Sequence, residues 1–191
     1  MQIHHSSHLA FRSDKSLVLI CGMPGSGKST FAHKYLERFH VIDNDDSVDS
    51  VCNQLTNHQI AVKKTLNPFA MFKAMKELLE QATEHFFNEV HHSLSCNPIT
   101  FVVGNFTEKK LREDFLKQFE GEYKHKYAIV LDISEQTLKK QVSNPLEFKV
   151  FLSNLKSFQK QLTNSEDWQM FDVVYVLTEQ TIKNVSIELR N

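Results

Sequence analysis

Residues 18–30 read VLICGMPGSGKST and combine an apolar run, a glycine-rich turn and a helix-forming segment. The residues from Gly22 to Ser29 match the pattern G-x-x-x-x-G-K-[ST] at every position. The apolar run predicts a buried strand before the turn, and the residues from Lys28 onward predict a helix after it. This order of strand, loop and helix is the context in which the pattern cradles phosphate groups.

The residue types of this loop explain how it would hold a nucleoside triphosphate. Glycines let successive backbone N–H groups converge on phosphate oxygens, and the positive end of the following helix dipole points at the same anion. Lys28 is expected to reach the β- and γ-phosphates, and the Ser29 hydroxyl to ligate Mg²⁺. Thr30 is expected to contact the α-phosphate. We therefore predict that Mg·ATP is bound by Gly22, Pro24, Gly25, Ser26, Gly27, Lys28, Ser29 and Thr30.

Length, composition and charge are those of an ordinary globular protein. The chain has 191 residues, of which 41% are hydrophobic and 24% charged. We predict a flexible arm at residues 1–15 and a single domain over residues 16–191. The formal net charge of −1 gives no global electrostatic reason for a nucleic-acid or membrane partner. Three widely spaced cysteines, no apolar leader and no run of bilayer-spanning length predict a cytoplasmic protein.

Short apolar runs alternate with helix-period segments along the rest of the chain. Further strands are predicted at HVID, ITFVVGN, KYAIVLDIS and FDVVYVL, with helices between them and after the last. The longest helix is predicted to have Asn67 as N-cap and Pro68 in its first turn. The alternation predicts an α/β fold of the P-loop NTPase type, with a five-stranded parallel sheet and helices on both faces. Residues 135–162 are predicted to form a helical lid.

A run of acidic residues follows the second predicted strand. The stretch HVIDNDDSVDS places Asp43, Asn44, Asp45 and Asp46 at the carboxyl end of that strand. In an open parallel sheet, ligands lie just outside the carboxyl ends of the strands. A carboxylate there would face the γ-phosphate and accept the proton of an attacking hydroxyl. The alternative is a solvated acidic turn that caps the next helix, and we favour a catalytic or metal role for at least one aspartate.

Other classes of P-loop protein fit this chain less well. It has no N-K-x-D motif for reading guanine, no clear D-x-x-G switch and no L-S-G-G-Q signature. It is also short for a typical AAA+ module with a separate helical lid domain. The small nucleotide-kinase-like proteins remain.

The sequence GMPGSGKST, followed by VIDNDD, resembles the polynucleotide-kinase-like and zeta-toxin-like P-loop kinases, an AAA-type group of small ATP-binding enzymes. The resemblance covers residues 17–47. It implies transfer of the γ-phosphate of ATP to a hydroxyl, which belongs to a nucleic-acid 5′ end in the first case and to an amino-sugar nucleotide in the second. It also implies that Asp45 is the base, with Asp43 as the alternative, acting through Mg²⁺.

Three stretches depart from the pattern of that group. The stretch SVDSVCNQ has no basic residue where the group carries an arginine. The third strand ends in Gly104 and Asn105 instead of an aspartate, and both a tight turn and an Asn105 contact to a metal-bound water stay open. The lid region offers lysines in place of arginines that clamp the moving phosphate. Lys140 or Lys139 is the best candidate for the lid cation, with Lys149 behind them.

Two side chains further along the chain have alternative interpretations. Arg112 lies in the first turns of the helix after the third strand, where it either approaches an anionic substrate or takes an ordinary surface position. The surface position is favoured. Trp168 is expected to pack near the last strand rather than to stack on a base.

These observations together predict an ATP-dependent phosphotransferase that acts on a hydroxyl acceptor. The near-neutral charge and the low arginine content rank a small metabolite or nucleotide above a nucleic-acid end, because binding long nucleic acid needs clustered cations. No membrane partner is expected. The alternative is a catalytically degenerate ATP-binding module with a regulatory role and a protein partner, and the missing arginines motivate it.

Overall fold

The computed structural model describes residues 1–50, 68–141 and 145–191, with side chains described at residues 1–50, 76–140 and 148–191. The strands are β1 (Gln2–His4), β2 (His8–Arg12), β3 (Ser16–Gly22), β4 (Val41–Asp43), β5 (Ile99–Val103), β6 (His125–Asp132), β7 (Val173–Thr178) and β8 (Ser186–Arg190). The helices are α1 (Lys28–Tyr35), α2 (from residue 44, described to residue 50), α3 (Pro68–Cys96), α4 (Lys109–Gln118), α5 (Glu135–Gln141) and α6 (Pro145–Thr163).

Six strands form the main sheet in the order β1-β7-β6-β3-β5-β4, and every neighbouring pair is parallel. The predicted parallel α/β sheet is confirmed, with six strands instead of five, because β1 adds to the edge beside β7. Strand β3 lies between β5 and β6 and is buried along its whole length. The glycine-rich loop therefore leaves the sheet from its interior, where both neighbouring strands fix its position.

Different elements cover the two faces of the sheet. Helices α3, α4 and α6 pack on one face, where Leu17 of β3 and Phe86 of α3 belong to the same buried cluster. Helix α1 and the β2–β8 pair pack on the other face, where Val18 of β3 clusters with Phe31 of α1 and Phe11 of β2. Successive side chains of β3 are buried on opposite faces of the sheet, because side chains alternate across a strand. Burial on both faces explains the uninterrupted apolar run in the sequence of β3.

In place of the flexible arm predicted for residues 1–15, the structure has two strands. Strand β2 pairs in parallel with β8, from His8 opposite Ser186 to Arg12 opposite Arg190. Phe11 is fully buried, and its ring meets the edges of aromatic rings on the main sheet at centroid distances of 5.2 to 5.6 Å. The predicted closing helix is wrong as well, since that part of the chain forms a short 3-10 turn followed by β8.

Helix α3 begins at Pro68 as the sequence predicts, and the predicted N-cap Asn67 lies outside the described residues. The region 135–162 is helical where it is described, as α5 and α6. A lid role for it stays a prediction.

In the part of the chain that the structure describes, no helix combines the length and the apolar character needed to cross a membrane.

Candidate active site

The glycine-rich loop turns on two glycines with left-handed backbone angles. Gly25 has φ +75° and Gly27 has φ +85°, a region that favours residues without a side chain. Gly27 is also the N-cap residue of α1, and no side chain caps the helix there. The first N–H groups of α1 are therefore left for a ligand, at the positive end of the helix dipole.

Ser26 lies inside the loop and lacks a hydrogen-bond partner. Its side chain is buried at 7% exposure, and its Oγ makes no hydrogen bond within the described residues. Leaving a buried hydroxyl unpaired costs about 1–3 kcal/mol. A phosphate oxygen in the loop would supply the missing partner, so this orphaned hydroxyl fits the predicted ligand.

Gly22 is the first glycine of the loop, and it has no room for a side chain. A Cβ there would lie 2.5 Å from Ser26 Oγ and 3.1 Å from the Leu131 carbonyl oxygen on β6. Gly22→Ala is therefore expected to displace the loop and to weaken Mg·ATP binding about tenfold, as measured by calorimetric titration. Gly121→Ala is the control, since it strains a left-handed glycine (φ +91°) whose Cβ position is open. Unchanged affinity in Gly22→Ala, or an equal loss in Gly121→Ala, contradicts the expectation.

Lys28 is half-buried and folds back onto the loop. Its Nζ donates to the carbonyl oxygens of Gly22 and Met23 at 3.0 and 3.1 Å. Burial lowers the pKa of Lys28, and the charge of Asp45 is the strongest influence in the opposite direction. The ammonium group is thus held in the loop, near the carboxylate of Asp45.

Asp43, at the end of β4, joins the loop to the acidic stretch. The Ser29 hydroxyl donates to Asp43 Oδ2 at 2.6 Å, and the Asp45 backbone N–H donates to Asp43 Oδ1 at 3.0 Å. Asp43 is 8% exposed. Both carboxylate oxygens are engaged, which fixes the orientation of this side chain.

Asp45 differs from Asp43 in its surroundings. It is exposed, and within the described residues its carboxylate makes no hydrogen bond or ion pair. It stands close enough to Lys28 for its charge to raise the pKa of that lysine. Asp45 therefore differs from Asp43 in having a carboxylate that is exposed and unengaged within the described residues.

Helix α3 supports the acidic corner through a contact that the sequence does not reveal. The Ser47 hydroxyl donates to Glu89 Oε2 at 2.6 Å and lies 3.2 Å from the Asp43 carbonyl oxygen. Ser47 is buried, so this bond ties the start of α2 to α3. The two residues are 42 positions apart, and neither belongs to a recognisable motif.

The structure brings together the loop residues 22–30, Asp43 and Asp45. Within the described residues, no hydrogen bond or ion pair joins Lys140 to them. Lys140 is exposed on α5. The pKa of Glu179 is lowered, first by hydrogen bonds from Thr137 and Ser134 and then by the charge of Lys140. Glu179 follows β7, so the charge of Lys140 acts on a carboxylate at the end of that strand. Its role as a lid cation stays a prediction.

The four arginines lie elsewhere. Arg12 and Arg190 are opposite each other in the β2–β8 pair, and Arg38 donates to the Ile187 carbonyl oxygen. Arg112, expected at the surface, is fully buried and donates to backbone and side-chain oxygens. Within the part of the chain that the structure describes, no hydrogen bond or ion pair joins an arginine to the loop or to the acidic corner.

Ser29 and Asp43 supply the oxygen ligands that Mg²⁺ prefers in proteins. Their side-chain oxygens are 2.6 Å apart, so the two donors lie at one site. Among the residues that the structure describes, no cluster of three His, Cys, Asp or Glu side chains can hold a metal by itself. This pattern fits Mg²⁺, which is commonly held by one or two protein groups together with substrate phosphates.

Comparison with solved structures shows the same fold. A candidate kinase from Chloroflexus aurantiacus is 10% identical with a TM-score of 0.56, over 90% of this chain and 91% of that chain. A structure of the PezAT chromosomal toxin–antitoxin system of Streptococcus pneumoniae is 13% identical with a TM-score of 0.55, over 91% of this chain and 71% of that chain. At these identities the likeness concerns the fold alone.

Sequence comparison gives the family. No curated protein sequence matches the chain. A family model described as an AAA domain matches residues 17–145, which include β3, the glycine-rich loop, the acidic corner and β6. The matched region covers about two thirds of the chain. The narrower polynucleotide-kinase-like or zeta-toxin-like resemblance stays a prediction. With its glycine-rich loop and its parallel sheet, the chain belongs to the AAA domain family.

Proposed function

We propose that this protein transfers the γ-phosphate of Mg·ATP to a hydroxyl group of an acceptor. The observation that carries the proposal is the meeting of Ser29, Asp43 and Asp45, with Ser29 Oγ 2.6 Å from Asp43 Oδ2 and Asp45 N 3.0 Å from Asp43 Oδ1. Lys28 lies beside them. Phosphoryl transfer needs a phosphate cradle, metal ligands and a group that accepts the acceptor's proton, and this corner offers residues for each.

The loop would hold the triphosphate by groups that have no other partner. The uncapped N–H groups at the start of α1 and the unpaired Ser26 hydroxyl point to anionic oxygens as ligands. Lys28 would exchange its two carbonyl contacts for the β- and γ-phosphates. The exchange is favourable because charge-assisted hydrogen bonds are about twice as strong as neutral ones.

Ser29 and Asp43 would hold Mg²⁺. When bound, the ion neutralises charge on the phosphate oxygens during transfer. Asp43 holds the Ser29 hydroxyl in place, and its buried position keeps the pair in one orientation. These two residues thus orient the phosphates toward the acceptor.

Asp45 would act as the general base. Its carboxylate is exposed and unpaired within the described residues, whereas both oxygens of Asp43 are engaged. A base must reach the acceptor hydroxyl, and an exposed carboxylate at the carboxyl end of β4 can do so. The geometry thus favours Asp45 over Asp43 for this role.

Asp45→Asn tests this assignment. We expect acceptor-stimulated ADP production to fall about 10²- to 10⁴-fold, since a positioned base contributes this much. The affinity for Mg·ATP, measured by calorimetric titration, is expected to change less than about threefold, because Asp45 makes no contact that holds the loop. The readouts are therefore steady-state turnover and direct binding on the same preparation.

Asp46→Asn is the matched control, because Asp46 is the adjacent exposed carboxylate. It is expected to keep turnover within a factor of about three. If Asp45→Asn retains full turnover, or if both variants lose it equally, Asp45 is not the base.

A second candidate function follows from the arginine positions. Arg112 is buried and the other three arginines lie on β2, on β8 or after α1, so none is recorded in contact with the P-loop. An arginine on the transferring phosphate is worth about 10³- to 10⁵-fold in rate. Without one, the domain would be an ATP-binding module that regulates a partner protein. Tight ATP binding with no turnover for any acceptor would select this function.

A further inference from the structure

A cleft of about 460 Å³ opens beside the acidic corner. Four phenylalanines form its floor, namely Phe86, Phe87, Phe106 and Phe115. Their ring centroids are 4.9 to 6.0 Å from one another along the contacts that join them. We call this the phenylalanine cleft. Its volume lies in the range of small-molecule sites, which are mostly apolar with a few polar groups at defined positions.

The cleft adjoins the proposed transfer site through β4 and β5. Asn44 lines it and stands between Asp43 and Asp45 in the chain. Gly104 and Asn105, which follow β5, line it as well. The cleft therefore lies at the carboxyl edge of the sheet, next to the ends of β4 and β5, which follow β3 in the strand order.

Gly104 lets the Phe106 ring pack into the floor of the cleft. A Cβ at Gly104 would lie 2.9 Å from that ring, so only a residue without a side chain leaves the space that the ring occupies. Leu111, on α4 at the margin of the cleft, is 41% exposed. An exposed leucine beside a floor of aromatic rings offers apolar contact area to a ring-bearing compound.

The polar groups of the cleft are neutral or acidic. Asn44, Asn105, Asp114 and Gln118 line it, and the Asn105 side-chain carbonyl accepts a hydrogen bond from Thr107. Within the described residues, the Asn105 amide N–H groups donate no hydrogen bond. None of the lining residues among those described is a lysine or arginine. The carboxylate of Asp114 at the margin of the cleft repels an anionic ligand and does not repel a neutral one.

We infer that the acceptor is an uncharged hydroxyl compound with an aromatic ring, bound in the phenylalanine cleft. The inference rests on the proposed function, because it names the substrate class of the same site. It differs from the acceptors that the sequence resemblance implies, which carry phosphate groups. In the step, the acceptor oxygen forms a bond to the γ-phosphorus, its proton passes to Asp45, and the bond to the bridging oxygen breaks to release ADP.

Two pairs of hydroxyl compounds test the charge preference. Each pair shares a ring and differs in charge: thymidine with thymidine 3′-monophosphate, and tyrosol with 3-(4-hydroxyphenyl)lactate. Affinities are measured by ligand-observed NMR in the presence of Mg·ADP, and turnover by ADP production from Mg·ATP. We expect the neutral member of at least one pair to bind about tenfold more tightly than its anionic partner.

Two exposed positions locate the binding in the cleft. Leu111→Asp is expected to weaken binding of the neutral compound about tenfold. The control is Leu79→Asp, which is expected to leave this binding unchanged, because Leu79 lies on α3 outside the cleft and is 51% exposed.

A second pair of variants tests the charge preference. Asp114→Lys is expected to remove most of the preference for the neutral member. Glu113→Lys, at the exposed neighbour that lies outside the cleft lining, is expected to keep it.

The outcomes separate this inference from the proposed function. Binding of a neutral ring compound that Leu111→Asp alone weakens supports the cleft even if no phosphate is transferred. Transfer to an anionic acceptor that is insensitive to Leu111 and Asp114 supports the phosphotransferase and overturns the cleft assignment. Failure of both neutral compounds to bind also overturns the cleft assignment.

Discussion

Lys28→Ala is expected to weaken Mg·ATP binding about 100-fold and to abolish measurable transfer, because the loop loses its charge-assisted donor to the phosphates. In the structure the Lys28 ammonium donates to two carbonyl oxygens of the loop and is thereby held within it. The loop itself should persist, since it depends on glycine backbone angles. Calorimetric titration with Mg·ATP and a thermal melt of the same sample measure affinity and folding separately.

Lys34→Ala is the matched control for this variant. Lys34 is an exposed lysine near the other end of α1, where its Nζ lies 4.9 Å from the centroid of the Tyr35 ring. Its removal is expected to leave the affinity for Mg·ATP within a factor of about two. If Lys28→Ala binds as tightly as the native protein, the loop does not hold the triphosphate in the way described.

Arg112→Ala is expected to lower the free energy of unfolding by about 3–5 kcal/mol, because it removes the hydrogen bonds of a buried charged group together with its packing volume. The guanidinium is fully buried and donates to the Phe106 and Asp167 carbonyl oxygens and to Gln161 Oε1, at 2.9 to 3.0 Å. It also lies 3.9 Å from the centroid of the Trp168 ring. The alanine variant leaves one buried and two partly buried acceptors without this donor, and it leaves a void against that ring.

Urea unfolding measures this loss. Lys110→Ala, at an exposed position two residues earlier on α4, is the control and is expected to change stability by less than about 0.5 kcal/mol. Arg112→Met keeps much of the volume but removes the donors, so it is expected to fall between the other two. A loss below about 1 kcal/mol in Arg112→Ala would show that the buried network contributes little.

Arg112 also connects this stability to the proposed site. Its bond to the Phe106 carbonyl fixes the segment that follows β5, and Phe106 belongs to the floor of the phenylalanine cleft. Gln161 on α6 extends the network by donating to the Thr107 carbonyl at 3.0 Å. The network therefore holds α4, α6 and the end of β5 in one arrangement.

The parts of the fold that the sequence predicts are those with local signals. The motif from Gly22 to Ser29 lies between an apolar strand and a helix, so its place in the structure follows from adjacent residues alone. Asp43 and Asp45 are predicted by the same reasoning, because an acidic run directly follows an apolar strand and parallel strands end at a common edge.

The parts of the fold that the sequence does not predict depend on contacts between residues far apart in the chain. Strand β2 pairs with β8 across about 180 positions, and a polar stretch with Leu9 and Phe11 gives no sign of that partner. Arg112 is buried because Gln161 and Trp168 supply oxygens and a ring from far along the chain. The sequence also does not predict the surroundings of Lys140 on α5, because helix periodicity does not tell which neighbouring element an exposed lysine faces.

The central claim is that this domain transfers phosphate and does not only bind nucleotide. The most direct measurement follows γ-labelled phosphate from Mg·ATP into pooled nucleosides, sugar nucleotides, small alcohols and 5′-hydroxyl oligonucleotides, with Lys28→Ala as the blank. We predict that the label enters at least one pool, at about 1 s⁻¹ or faster, and that Asp45→Asn stops it. No label in any pool, with ATP binding intact in the same preparation, would contradict the claim and identify a nucleotide-binding module.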